Sequence, residues 1–243
     1  MQLEEHVLLM IKAEFFVQLI GAAFFLILNI YLAKQGFSDP EIANFISYRF
    51  LAVMLLAFPL GFYIKGKPLK PFFMFGSLGV PLVAIFLVVA VQNAWFEYLP
   101  LLFILWGIVF TLFQVSSLPY VMRNTSVANQ SHAISLNYAT HSFGTILSGI
   151  IIFGFGQFMK EIDEGIILLF IAFIGFFGVY YLLKMKVDVV VPVKKGLQWK
   201  SYDWALLLKA IIPTLIIAVG AGLTIPFINF FHKLPKAEDD YST

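Results

Sequence analysis

The chain alternates between long apolar runs and short polar connections. A bilayer core of roughly 30 Å needs about 20 apolar residues in helical form to cross it. About seven stretches reach that length: 15–33, 46–64, 71–91, 98–122, 133–158, 165–183 and 204–231. Each predicts a membrane-spanning α-helix, with 98–122 and 133–158 the least cleanly separated pair. The expected fold class is therefore all-α, a polytopic transmembrane helical bundle of about seven spans.

The polar connections alternate in charge. One set holds Lys65, Lys67 and Lys70, then Arg123, then Lys184, Lys186, Lys194, Lys195 and Lys200. The other holds Asp39 and Glu41, then Glu97, then Glu161, Asp163 and Glu164, and finally Glu238, Asp239 and Asp240. Lysine and arginine favour cytoplasmic loops, which predicts a cytoplasmic N-terminus and, for an odd number of spans, an external C-terminus. The longest connection, 184–201, is basic and contains Pro192 and Gly196. It suggests three parts: a six-helix bundle over 1–185, a cytoplasmic linker over 186–201, and the first helix of a second bundle with an external tail over 202–243. Glu4 and Glu5 stand where a signal peptide carries basic residues, so the first apolar run reads as a span and not as a cleaved leader.

Composition sharpens this picture. Hydrophobic residues make up 60% of the chain and charged residues 12%, about half the usual charge of a soluble domain. One aqueous core cannot hide that much apolar surface, whereas lipid solvates the outer face of every helix. The bilayer is thus the expected partner. A net charge of +2 gives no reason to expect nucleic acid. The absence of cysteine removes disulfides, thiolate metal sites and cysteine nucleophiles.

Two segments hint at an internal repeat: "GAAFFLILNIYL" from Gly21 and "GAGLTIPFINFF" from Gly220, each with a small-residue pair followed by an asparagine, Asn29 and Asn229. Their spacing fits a six-plus-six arrangement. In this order of six spans, basic loop and seventh helix, the chain resembles the major facilitator superfamily. "NIYLAKQGFSDPEIA" (29–43) resembles the family's passage from span 1 to span 2, and "GFYIKGKPLKP" (61–71) takes the place of its signature loop. "SFGTILSGIIIFGFG" in span 5 resembles the family's glycine-rich fifth helix. The signature aspartate is absent from the stretch 64–66, as is an arginine early in span 4, so the family's gating rules do not transfer. The resemblance implies alternating-access movement of a small solute across a plasma membrane such as the bacterial inner membrane, without a cofactor. Family members have twelve spans, so the missing C-terminal half of the same protein is an expected partner.

Ionisable groups within spans are costly and usually face a cavity. Glu14, Arg49, His141 and Lys209 are such groups. Glu14, Gln18, Gly21, Phe25 and Asn29 recur at helical steps and form one polar stripe. That stripe is either a solute and proton pathway, with Glu14 as carrier, or a headgroup-level carboxylate with two helix-bonding amides. Arg49 attracts an anionic solute, pairs with a carboxylate, or snorkels to the outer interface. Asn137, His141, Gly144 and Ser148 share a face in span 5, suited to proton exchange at His141 or to close helix packing. Gln114 is a cavity candidate in span 4, beside Gly107 and Thr111. Thr224 and Asn229 are candidates in span 7, between and beyond Pro213, Gly220, Gly222 and Pro226. Trp106 lies deep enough to pack in the bundle or to touch a ligand, unlike the interface anchors Trp95, Trp199 and Trp204. Because these candidates carry little net charge, a multiply charged solute is disfavoured.

Other classes fit less well. A seven-helix retinal photoreceptor needs a lysine at mid-depth in its last helix, and Lys209 lies about one and a half turns from the cytoplasmic end. No paired-histidine metal spacing, glycine-flanked serine or intramembrane aspartate pair suggests an enzyme. A non-transporting membrane interaction protein is the remaining alternative.

Overall fold

The computed structural model describes residues 3–158 and 162–186, together with Ala205, Leu208, Lys209, Ile212, Pro213 and Ile216. All regular structure among the described residues is helical. In order it comprises α1 (Glu5–Lys34), α2 (Asp39–Tyr63), α3 (Lys70–Gln92), a 3₁₀ turn (Phe96–Tyr98), α4 (Leu99–Asn124), α5 (Val127–Phe158), α6 (Glu164–Gly175) and α7 (Phe177–Lys184). Six helical segments are long and apolar enough to cross a membrane, with α6 and α7 together forming the sixth, Glu164–Lys184. The chain is thus an integral membrane helical bundle by length and composition. The seventh expected span lies almost wholly outside the described residues.

Local signals set the helix ends. Gly36, at φ 94°, closes α1. The Gly36 amide donates to Ala33 O at 3.1 Å and the Phe37 amide to Leu32 O at 3.2 Å, a Schellman pair that only a left-handed residue permits cheaply. Ser38 then opens α2: its amide donates to Glu41 Oε2 at 2.8 Å and its hydroxyl to the same oxygen at 2.7 Å. This is half of a capping box, and it orients an acid on the positive end of the helix. At the start of α6, Asp163 accepts from the Gly165 amide at 3.3 Å.

The helices overrun the apolar windows that announce them. α1 starts at Glu5, ten residues before the expected 15, and α5 starts at Val127 instead of 133. Backbone hydrogen bonding continues past the hydrocarbon, where polar side chains such as Lys12 and Gln130 cost nothing. Span 6 carries an unexpected joint at Phe176, whose φ of −63° and ψ of −19° tighten the helix without reversing it.

The packing has a pattern of its own. α1 lies against α5 on one side and against α6–α7 on another, while α4 lies against α2 and α3; α3 also meets α6–α7. Exchanging spans 1–3 for spans 4–6 maps these pairings onto one another: α1 with α5 becomes α4 with α2, and α1 with span 6 becomes α4 with α3. The correspondence is incomplete, since α1 also touches α3. Three is an odd number of crossings, so two such triplets enter the membrane from opposite sides, as an inverted repeat does.

Burial separates the spans. Of their most apolar stretches, 56% is buried in α1 and in α3, against 17% in α2 and in α5, which makes the latter two peripheral. Their outward side chains, including Met54, Phe58, Phe143 and Phe153, are exposed and apolar, as contact with lipid requires. At one end of the bundle the basic connections meet. Arg123 donates to Lys67 O at 3.1 Å and to Ile64 O at 3.4 Å, and Lys70 donates to Met185 O. At the other end Lys34 pairs with Glu164.

The chain divides into two compact units, Met1–Val193 and Lys194–Thr243. In the second, the described positions Ala205, Leu208, Lys209, Ile212, Pro213 and Ile216 are helical and exposed. The described helices and contacts above belong to the first.

Candidate functional site

Glu14 is enclosed by protein. It is 2% exposed, inside the bundle where α1, α4 and α5 come together. Ser117 Oγ lies 2.8 Å from Glu14 Oε2 and 2.9 Å from Asn137 Oδ1, with Met10 Sδ at 3.8 Å. Gln18, one turn along α1, is a further hydrogen-bond partner of the carboxyl group. Ser117 and Asn137 are themselves 2% and 5% exposed. The three polar residues meet because they lie at matched depth. Glu14 is nine residues into α1, Ser117 seven residues before the end of α4, and Asn137 ten residues into α5. At 1.5 Å per residue, each is about 10–15 Å from the same end of the bundle.

The knot has a proton count that its oxygens must obey. Ser117 owns one hydroxyl hydrogen but has two acceptor oxygens within hydrogen-bond distance. With Glu14 protonated, the carboxyl group donates to Ser117 and Ser117 donates to Asn137. With Glu14 ionised, Ser117 must donate to the carboxylate, and the Asn137 amide must turn its Nδ2 toward the hydroxyl. A change of protonation on α1 therefore reorients a side chain on α5 through one on α4.

Farther along, the α1–α5 seam is built for close contact. A Cβ on Gly144 would stand 3.1 Å from backbone atoms of Gln18 and Leu19, and Ser148 Oγ donates to Leu19 O at 2.9 Å. Thr140 donates to Asn137 O at 2.6 Å. Asn137, Gly144 and Ser148 thus turn inward, while His141, expected on the same face, is exposed. The α1 stripe splits in the same way: Glu14, Gln18 and Gly21 are buried, Asn29 is half-buried, and Phe25 is exposed. Gln114 is half-buried on α4, and its neighbour Thr111 turns back to Gly107 O at 2.6 Å.

Arg49 occupies a second polar position, where α2 crosses α4. It is ten residues into α2, about 15 Å along the axis from Asp39 and about 21 Å from Tyr63. Its guanidinium carbon lies 4.4 Å from the centroid of the Trp106 ring, 5.2 Å from that of Phe110 and 5.8 Å from that of Phe50. Trp106 is 1% exposed and is met edge-on by Phe24 at 4.8 Å. The helices touch backbone to backbone here: a Cβ on Gly107 would stand 2.5 Å from Arg49 O and 2.9 Å from Ala52 Cβ. Arg49 forms no ion pair among the described residues.

Sequence reading missed Ser117, although a signal existed: a serine one turn beyond Gln114, at the depth of Glu14. Between α2 and α3, Arg123 bonds the carbonyl oxygens of Ile64, which caps α2, and of Lys67 in the connection. Thr224 and Asn229 lie outside the described residues, as do Trp199, Trp204 and the acidic tail. No protein-family model matches this chain, and no curated protein matches it either.

Proposed function

We propose that this protein carries a small solute across a membrane by alternating access, as the first six spans and the following helix of a carrier of major-facilitator type. The N-terminus is cytoplasmic in this reading, by the clustering of Lys65, Lys67, Lys70, Arg123 and Lys184 at one end. The observation that carries it is the buried Glu14–Ser117–Asn137 knot. A carboxyl group within a membrane bundle, linked by single hydrogen bonds to two other spans, is expensive unless it is used. Its two hydrogen-bonding patterns give each protonation state its own side-chain pairing between α1, α4 and α5, which is a starting point for coupling proton movement to helix movement. The exchange pattern of spans 1–3 with spans 4–6 supports the family reading, because inverted triplets are nested within each half of such carriers.

The test is uptake by the purified protein in proteoliposomes, with a panel of radiolabelled sugars, amino acids, monocarboxylates and organic cations. The expected result is accumulation of at least one solute above its external concentration when protons are driven in the coupled direction. Equal leak of every solute with and without protein would remove the transporter reading and favour a membrane interaction protein.

A further inference from the structure

From the arrangement around Arg49 we infer a binding site for a carboxylate on an apolar or aromatic body, held between α2 and α4. The inference rests on the transporter reading only for the carboxylate being cargo; binding itself does not depend on transport. Two buried donors lack any hydrogen-bond partner there, Arg49 Nε and Trp106 Nε1. They belong to side chains stacked on each other, with the guanidinium carbon 4.4 Å from the indole ring centroid. A buried donor without an acceptor is costly, and more so when charged, so such a pair persists where an acceptor completes it.

The chemistry of that acceptor follows from its surroundings. The site carries one positive charge and has no carboxylate from another described residue opposite it. Arginine presents a planar fork matched to a carboxylate, and a lysine ammonium does not. The walls are rings: Trp106 beneath the guanidinium, Phe110 and Phe50 around it, and Phe24 set edge-to-face with Trp106. Such walls receive a hydrocarbon or aromatic body and reject a second charge. Cation–π contact holds the guanidinium in place before the ligand arrives, which reduces the ordering cost of binding. Phe50 is 55% exposed and Arg49 only half-buried, so one side of the box is open. The backbone contact of Gly107 with Arg49 fixes the two helices, so the box is shaped by the crossing itself.

The experiment is equilibrium binding to the purified full chain in detergent, by thermal shift and by calorimetry. The probes are matched pairs: benzoate and benzamide, hexanoate and hexanamide, phenylacetate and phenylacetamide. The acids are expected to bind and raise the melting temperature, while the amides do not. Arg49→Lys keeps the charge but loses Nε and the planar fork, and should weaken acid binding by about tenfold or more. Trp106→Phe keeps the ring and removes the indole donor, and should weaken it several-fold. Arg49→Gln should abolish it, and Arg49→Lys covers the case in which that variant fails to fold. Acids and amides binding alike, no acid binding at all, or acid affinity unchanged in Arg49→Lys would each overturn the site. Uptake of the non-carboxylate solutes is measured separately, so a transporter that ignores acids and an acid binder that does not transport are told apart.

Discussion

Two polar places among the described residues are built on opposite principles. At the Glu14 knot the polar groups pair with one another: carboxyl, hydroxyl and amide oxygens meet in a chain at 2.8 and 2.9 Å. At the Arg49 box the charge rests on rings, and two donors are left without acceptors. A satisfied network within low dielectric stiffens the three helices it joins, because opening it strands several groups at once. An unsatisfied pair does the reverse and is stabilised from outside, by whatever brings an acceptor. The first place is thus suited to holding and handing on a proton, the second to receiving a ligand.

The two places respond differently to substitution. The largest effect is expected where the box depends on backbone contact. Gly107→Val sets branched carbon against Arg49 O and Ala52, forcing α2 from α4. It should cost about 3 kcal/mol or more and show as loss of the monodisperse protein on size exclusion. Next, Ser117→Ala removes the hydroxyl that joins Glu14 to Asn137 and strands both groups. Destabilisation of about 1–3 kcal/mol is expected, read as a lower melting temperature in detergent. Arg49→Met sharpens the contrast, because it removes an unsatisfied charge and keeps apolar volume. The ligand-free protein should keep its stability within about 1 kcal/mol, although the acid site is lost. The smallest effect belongs to Lys34→Ala. Its pairing with Glu164 is at the surface, with the lysine 61% exposed, so a change of at most about 0.5 kcal/mol is expected.

What could be read from the chain alone follows the same division. The apolar runs declared the six described spans, since length and hydropathy are local properties of one segment. Glu14, Gln18 and Asn137 stood out as polar residues in apolar helices, but their meeting point did not. That depends on Ser117, whose side chain is ordinary in a span until depth is matched across three helices. His141 shows the converse. Helical spacing puts it near Asn137 and Gly144, yet the glycine and the serine dock on α1 and leave the histidine outside the seam. The box at Arg49 was half legible: the arginine was visible and Trp106 was marked as deep, but only the α2–α4 crossing stacks them.

In the proposed mechanism Glu14 moves a proton whose passage drives the solute. It is tested most directly by uptake into proteoliposomes under an imposed pH gradient, comparing the native protein with Glu14→Gln and with Glu14→Gln/His141→Gln. Glutamine keeps the size of the side chain and cannot exchange a proton at neutral pH. The variants are expected still to exchange solute across the membrane at equal concentrations but no longer to accumulate it against a gradient. Undiminished accumulation by the double variant would contradict it.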